Sequence, residues 1–220
     1  MIDIQQIADI CQEHNAYFHS DTVQTIGFYP IDLSTTKAHF ITGSGHKFHG
    51  PKGVGFIYIN SDAMLKPFID GGSQERNMRG GTENVYGILG MAKALEIAID
   101  KMEEHRQHTE SIRKYFAEQL EASFSGIEYN GKPFEGGHYK VLSVSFPPSD
   151  KGDLLLFSLD IAGVSASGGS ACSSGADTGS HVINALHPGS ERKTIRFSFS
   201  YENTKEEADF VIEKLKEILD

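Results

Sequence analysis

The chain is poor in cysteine, in positive charge and in long apolar runs. Its 220 residues hold 2 cysteines, Cys11 and Cys172, too few for a disulfide framework and without metal-ligand spacing. Its 20 lysines and arginines face 30 aspartates and glutamates, a formal net charge of -10. The clustered positive charge that grips nucleic acid is therefore missing. No apolar run approaches the roughly 18 residues of a membrane span. The opening Met1-Ile2-Asp3-Ile4-Gln5 has neither the basic nor the apolar block of a signal peptide. These shortages point away from nucleic acid, metal and membrane, and toward a reducing cytoplasm.

What is present is ordinary globular material: 39% hydrophobic residues, enough for a sizeable core in one domain or one and a half. Ile4, Ile7, Ala8 and Cys11 form the stripe of an amphipathic helix with Asp3 as its cap, which predicts Cys11 in the core. Tyr17-Phe18-His19 reads as a short buried strand running into a loop at Asp21, and Phe40-Ile41 and residues 53–59 read as two more. That order looks like the second half of an α/β sheet. From Thr82 the pattern turns helical. Val85, Ile88, Leu89, Ala92, Leu95 and Ile99 share a face that Ile112, Phe116 and Leu120 resume, and Gly126 is a natural stop. The remainder reads as a smaller α+β unit. Val141–Phe146 is a strand and residues 153–160 a leucine-rich helix. Ile195, Phe197 and Phe199 alternate as in a half-buried strand. Thr204 with Glu207 is a capping box before a last helix whose face is Phe210, Val211, Leu215 and Ile218.

Two motifs carry chemistry. Gly43-Ser44-Gly45-His46-Lys47 places a lysine where an apolar strand enters a glycine-rich loop. A lysine amine is a nucleophile only when deprotonated, and a strand end inside a sheet offers the desolvation that favours this. By itself such a lysine would as readily be solvated. Asp21 follows its own apolar strand one element earlier, so both side chains would emerge at one sheet edge. There a carboxylate would pair with a pyridine nitrogen and make that ring an electron sink. Gln24 would donate to a ring oxygen, and Ser44, His46 and Thr82 would serve a phosphate. The second motif, Ser167-Gly168-Gly169-Ser170-Ala171-Cys172-Ser173-Ser174, sets one thiol on small residues too poor in apolar surface for a core. Arg196 lies on the polar side of its strand, either in a surface ion pair or as a bidentate clamp for a carboxylate. Lysine and thiol together point to pyridoxal phosphate activating a substrate from which a cysteine takes a group.

With those residues in hand the chain resembles the cysteine desulfurases of the NifS and IscS type, in the class V aminotransferase branch of fold-type I pyridoxal-phosphate enzymes. The resemblance rests on His19–Gln24, residues 44–53, Arg79–Asn84, Ser167–Ser174 and Thr194–Ser198, which follow the family's order. It implies an α/β fold, the C-terminal part of a fold-type I large domain (1–83), a connecting helix or helix pair (84–125) and a small α+β domain with the cysteine loop (126–220). It further implies that Lys47 holds pyridoxal 5'-phosphate as an imine, that Asp21 meets the pyridine nitrogen and Gln24 the ring oxygen, and that Ser44 and His46 bind the phosphate. Thr82 would reach the phosphate of a neighbouring subunit in a homodimer, and Arg196 would hold the carboxylate of L-cysteine. Cys172 would take the sulfur as a persulfide, leaving L-alanine, and pass it to an iron-sulfur scaffold or thiolation protein. The family's chain starts well before residue 1, so the resemblance covers its C-terminal part and implies a chain inactive alone. Related alternatives are a selenocysteine lyase, a small amino-acid transaminase, or a non-catalytic fragment that binds partners.

Overall fold

The computed structural model describes residues 2–134, 136–168 and 180–220. Cys172 lies outside them. The chain divides into two units, Met1–Met102 and Glu103–Asp220, with the break inside the helical stretch.

The first unit opens with helix α1 (Ile4–Glu13), whose Asp3 carboxylate accepts the N–H groups of Gln5 and Gln6 at 3.0 and 3.1 Å. Ala8 is its buried residue and Cys11 is half-buried, a correction to the expected core position. Strands β1 (His19–Asp21), β2 (Phe40–Ser44) and β3 (Gly55–Ile59) form a sheet in that order, β1 parallel and β3 antiparallel to β2. β1 begins at His19 rather than Tyr17 and is largely exposed, since it pairs on one side with β2 among the described residues. The Tyr17 ring is exposed and stands edge-on to His39 at 4.9 Å.

Helix α2 (Val85–Asp100) forms where its periodicity predicts, with the Asn84 side chain accepting Gly87 N–H at 3.1 Å. The face this unit covers is not the apolar one read from the sequence. Gly87, Met91 and Ala98 are buried, whereas Leu89 is 64% exposed and Val85 and Ile99 are exposed too. Close approach explains the difference. A side chain on Gly45 would stand 3.3 Å from Met91 Cγ, and one on Gly50 3.3 Å from Ala94 Cβ. The short turn after β2 thus rests on small or flexible α2 residues, and long aliphatic ones would hold it off.

The second unit begins with α3 (Met102–Ser123) and continues through β4 (Glu128–Tyr129), β5 (Val141–Phe146), α4 (Leu155–Ile161), α5 (His181–Leu186), β6 (Lys193–Ser198) and α6 (Lys205–Leu219). Its sheet runs β4-β5-β6, antiparallel throughout, with Val141 opposite Ser198 and Phe146 opposite Lys193. Phe116, Leu120, Val144, Phe146, Leu155, Leu159 and Leu215 fill the core between sheet and helices. The Phe116 ring meets Phe197 edge-on at 4.9 Å. Ile195, Phe197 and Phe199 are buried as their alternation predicts. Among the described residues no helix is long and apolar enough to cross a membrane.

On α6 the buried stripe is Ala208, Ile212 and Leu215, and Phe210 is exposed. The expected face is displaced toward Ile212. The capping box is present: Glu207 N–H donates to Thr204 Oγ1 at 3.3 Å and Thr204 N–H to Glu207 Oε2 at 3.0 Å. Hydrogen bonds from the Asn203 side chain and from the Thr204 backbone hold the Glu207 carboxyl below its usual range. A depressed folded-state value stabilises the unit fully above about pH 4.3, the ordinary glutamate value, and the contribution fades as acid protonates the folded carboxylate. Thr204→Ala is expected to cost about 1 kcal/mol in denaturant unfolding at neutral pH. Glu207→Gln is expected to flatten the acid side of the stability profile. An unchanged profile would contradict the role given to this carboxylate.

Candidate active site

The parallel register of β1 on β2 sets Asp21 beside Thr42, so both strands leave the sheet at the same end. Thr22 fastens them there: its N–H and its hydroxyl both donate to the Thr42 carbonyl, at 3.1 and 2.8 Å, and the residue is buried. Sequence reading missed Thr22. Its only sequence signal is a β-branched hydroxyl residue directly after the candidate carboxylate. Asp21 Oδ1 accepts Val23 N–H at 2.9 Å, which orients the exposed carboxylate. Gln24 is exposed in the turn that follows, closed by Thr25 N–H and Ile26 N–H on the Thr22 carbonyl at 2.8 Å each.

β2 runs from Thr42 through Ser44 into a single 3-10 turn, Gly45–Phe48, that carries His46 and Lys47. The turn is held at both ends, Gly45 N–H on the Val54 carbonyl at 3.0 Å and Gly50 N–H on the Gly45 carbonyl at 2.9 Å. Phe48 is its anchor at 1% exposure, while Lys47 is half-buried and His46 exposed. Ser44 Oγ and His46 Nδ1 lie 2.9 Å apart, a hydroxyl–imidazole pair aligned by one short turn. A β-carbon on Gly43 would lie 2.4 Å from the Phe56 ring on the neighbouring strand, so any side chain there requires that ring to move.

One sheet end therefore gathers Asp21, Gln24, Ser44, His46 and Lys47. As a donor set they fit pyridoxal phosphate, with an anion for the ring nitrogen, a hydroxyl and an imidazole for the phosphate, and an amine for the aldehyde carbon. Thr82 stands exposed before α2, and no hydrogen bond among the described residues ties it to β2.

Arg196 belongs to the second unit. It sits on β6 opposite Ser143 of β5, between buried Ile195 and Phe197. The side chain is half-buried, and its Nε is fully buried without a hydrogen-bond partner among the described residues. An unmet buried donor costs on the order of 1–3 kcal/mol, so a carboxylate oxygen arriving there gains more than one meeting a solvated arginine. Cys172, the expected sulfur acceptor, falls outside the described residues.

The class V aminotransferase family model matches residues 1–211. The cysteine desulfurase IscS of Dictyoglomus turgidum is 39% identical over 219 residues, 99% of this chain and 55% of that protein. The cysteine desulfurase IscS of Methanosarcina thermophila is 38% identical over 218 residues, 98% of this chain and 53% of that one. A solved NifS-like protein superposes on 98% of this chain and 56% of its own length with a TM-score of 0.85 at 35% identity. A NifS-like protein from Rickettsia africae gives 0.84 at 28% identity, over 98% and 57%. The chain thus spans about half the length of the curated relatives it matches. Its architecture is the α/β arrangement of NifS-like proteins, and it belongs to the class V aminotransferases, a family of enzymes.

Proposed function

We propose that this chain carries the lysine and thiol parts of a pyridoxal-phosphate-dependent cysteine desulfurase. The observation that carries the reading is the parallel register that delivers Asp21 and the Lys47 turn to one sheet end. When bound there, pyridoxal phosphate supplies an electron sink for charge that develops on the substrate's carbons. Asp21 would keep the ring nitrogen protonated, and Gln24 would donate to the ring oxygen. Ser44 and His46 hold the phosphate, with Thr82 serving the site of a second subunit. Lys47 Nζ would hold the cofactor through its aldehyde carbon and would then take the proton from Cα of cysteine. Arg196 fixes the substrate carboxylate with its guanidinium. The Cys172 thiolate attacks the substrate sulfur, the C–S bond breaks with its electron pair left on carbon, a proton takes the place of sulfur at Cβ, and Lys47 returns the proton to Cα as L-alanine leaves. The persulfide on Cys172 then passes to an acceptor protein, an iron-sulfur scaffold or a thiolation protein, in the cytoplasm.

The test supplies the chain with pyridoxal phosphate and L-cysteine, alone and mixed with a separately produced polypeptide covering the remaining length of a desulfurase relative. Alanine and sulfide, measured under reducing conditions, are expected from the mixture. Cys172→Ser is expected to abolish sulfide release. Amino-group exchange that survives Cys172→Ser without any sulfide in the parent would identify a transaminase. Silence of both mixtures would leave a non-catalytic binding role.

A further inference from the structure

The outer edge of β6 bears one short pairing. Ser167 and Arg196 exchange two backbone hydrogen bonds, Ser167 N–H on the Arg196 carbonyl at 3.2 Å and Arg196 N–H on the Ser167 carbonyl at 2.7 Å. This bridge stands outside any regular ladder, and Ser167 opens the sequence segment that leads to Cys172. Arg196 therefore touches two things. Its backbone holds the root of the thiol segment, and its buried Nε awaits an acceptor.

We propose that Arg196 couples the two: a carboxylate captured by the guanidinium tightens the Ser167 bridge, so that substrate occupancy fixes the origin from which the thiol segment departs. The inference rests on the reading that Arg196 receives the carboxylate of cysteine. It adds Ser167 and Gly168 as positioning residues. An arginine with an unmet buried donor gains by shifting its rotamer or opening its strand edge toward water. A carboxylate removes that gain, and the backbone N–H and C=O of Arg196 itself are both engaged in the Ser167 pairing. β6 is secured by six residue pairs with β5 on its other side, so the single bridge is where the change is felt. Gly168 lets the segment lie close. A β-carbon there would stand 3.1 Å from Leu156 Cδ2, so Gly168→Val is expected to lift the segment from β6. Because coupling is reciprocal, whatever weakens the bridge also weakens carboxylate binding by the same factor.

The experiment is nuclear magnetic resonance and amide exchange on the ¹⁵N-labelled chain with saturating L-alanine, and with L-alaninamide, which lacks the carboxylate. The Arg196 Nε–H resonance, identified by its loss in Arg196→Lys, reports capture of the carboxylate. The Ser167 and Arg196 amides report the bridge. Alanine is expected to shift the Nε–H signal and slow both amides about tenfold, and alaninamide to do neither. In Gly168→Val the two amides are expected to exchange faster without ligand, and the alanine titration to move to higher concentration. A shifted Nε–H with unchanged bridge amides would overturn the coupling and leave the carboxylate grip standing. An Nε–H signal that ignores alanine would remove the grip and the coupling with it.

Discussion

Phe48→Ala is expected to destabilise the first unit by about 3–5 kcal/mol and to release the turn that carries Lys47. Phe48 is 1% exposed. A β-carbon on Gly27 would meet Phe48 Cβ at 3.2 Å and Ala98 Cβ at 3.3 Å, so backbone and helix already close on the residue. Removing a ring from so rigid a setting leaves a cavity rather than a collapsed site. The loss also has a local signature. Exchange of the Gly45 and Gly50 amides, whose bonds bracket the lysine turn, is expected to accelerate more than exchange on β3. Phe48→Leu is expected to recover most of the stability, since it retains most of the apolar volume. A cost below about 1 kcal/mol, or acceleration spread evenly over the unit, would show that Phe48 is not what seats the turn.

The features that were legible in the sequence are those settled within one turn or one strand. Asp3 caps α1 and Thr204 with Glu207 boxes α6 because both ends of each interaction lie within four residues. The alternation of Ile195, Phe197 and Phe199 similarly needs only the strand itself to be half-buried. At the site, the lysine motif and Asp21 were legible as chemistry and the order of their strands already set them at one sheet edge, but the register that pairs Asp21 with Thr42 is encoded by no local pattern. Thr22 escaped for the same reason, since its partner Thr42 is 20 residues away. The α2 face misled because periodicity reports which residues are apolar, whereas burial in this unit follows how near the Gly45–Phe48 turn can come. Cys11 lies on an apolar stripe whose only buried member is Ala8. The two ends of the Ser167–Arg196 bridge lie far apart in the sequence and carry no pairing signature.

Lys47→Ala is expected to lower desulfurase turnover of the reconstituted enzyme by on the order of 10²–10⁴-fold, the scale of losing a positioned proton-transfer group. On the proposed reading the loss should appear in kcat, because the substrate carboxylate would still find Arg196. Arg196→Lys is expected instead to raise KM first, since an ammonium replaces one fork-shaped donor set with a point charge and leaves the carboxylate singly held. Reductive trapping with borohydride separates attachment from turnover. The pyridoxyl label should map to Lys47 and vanish in Lys47→Ala, with Lys52, exposed a few residues further along, as the control for nonspecific labelling. The contrast follows from the backbone: the bonds from Gly45 to Val54 and from Gly50 to Gly45 fix the turn beneath Lys47, whereas Lys52 lies past the Gly50 bond, on the exposed stretch that returns to Val54. Label on Lys52 with undiminished turnover in Lys47→Ala would mean that the amine at the sheet end does no chemistry. Its juxtaposition with Asp21 would then be a consequence of strand pairing alone.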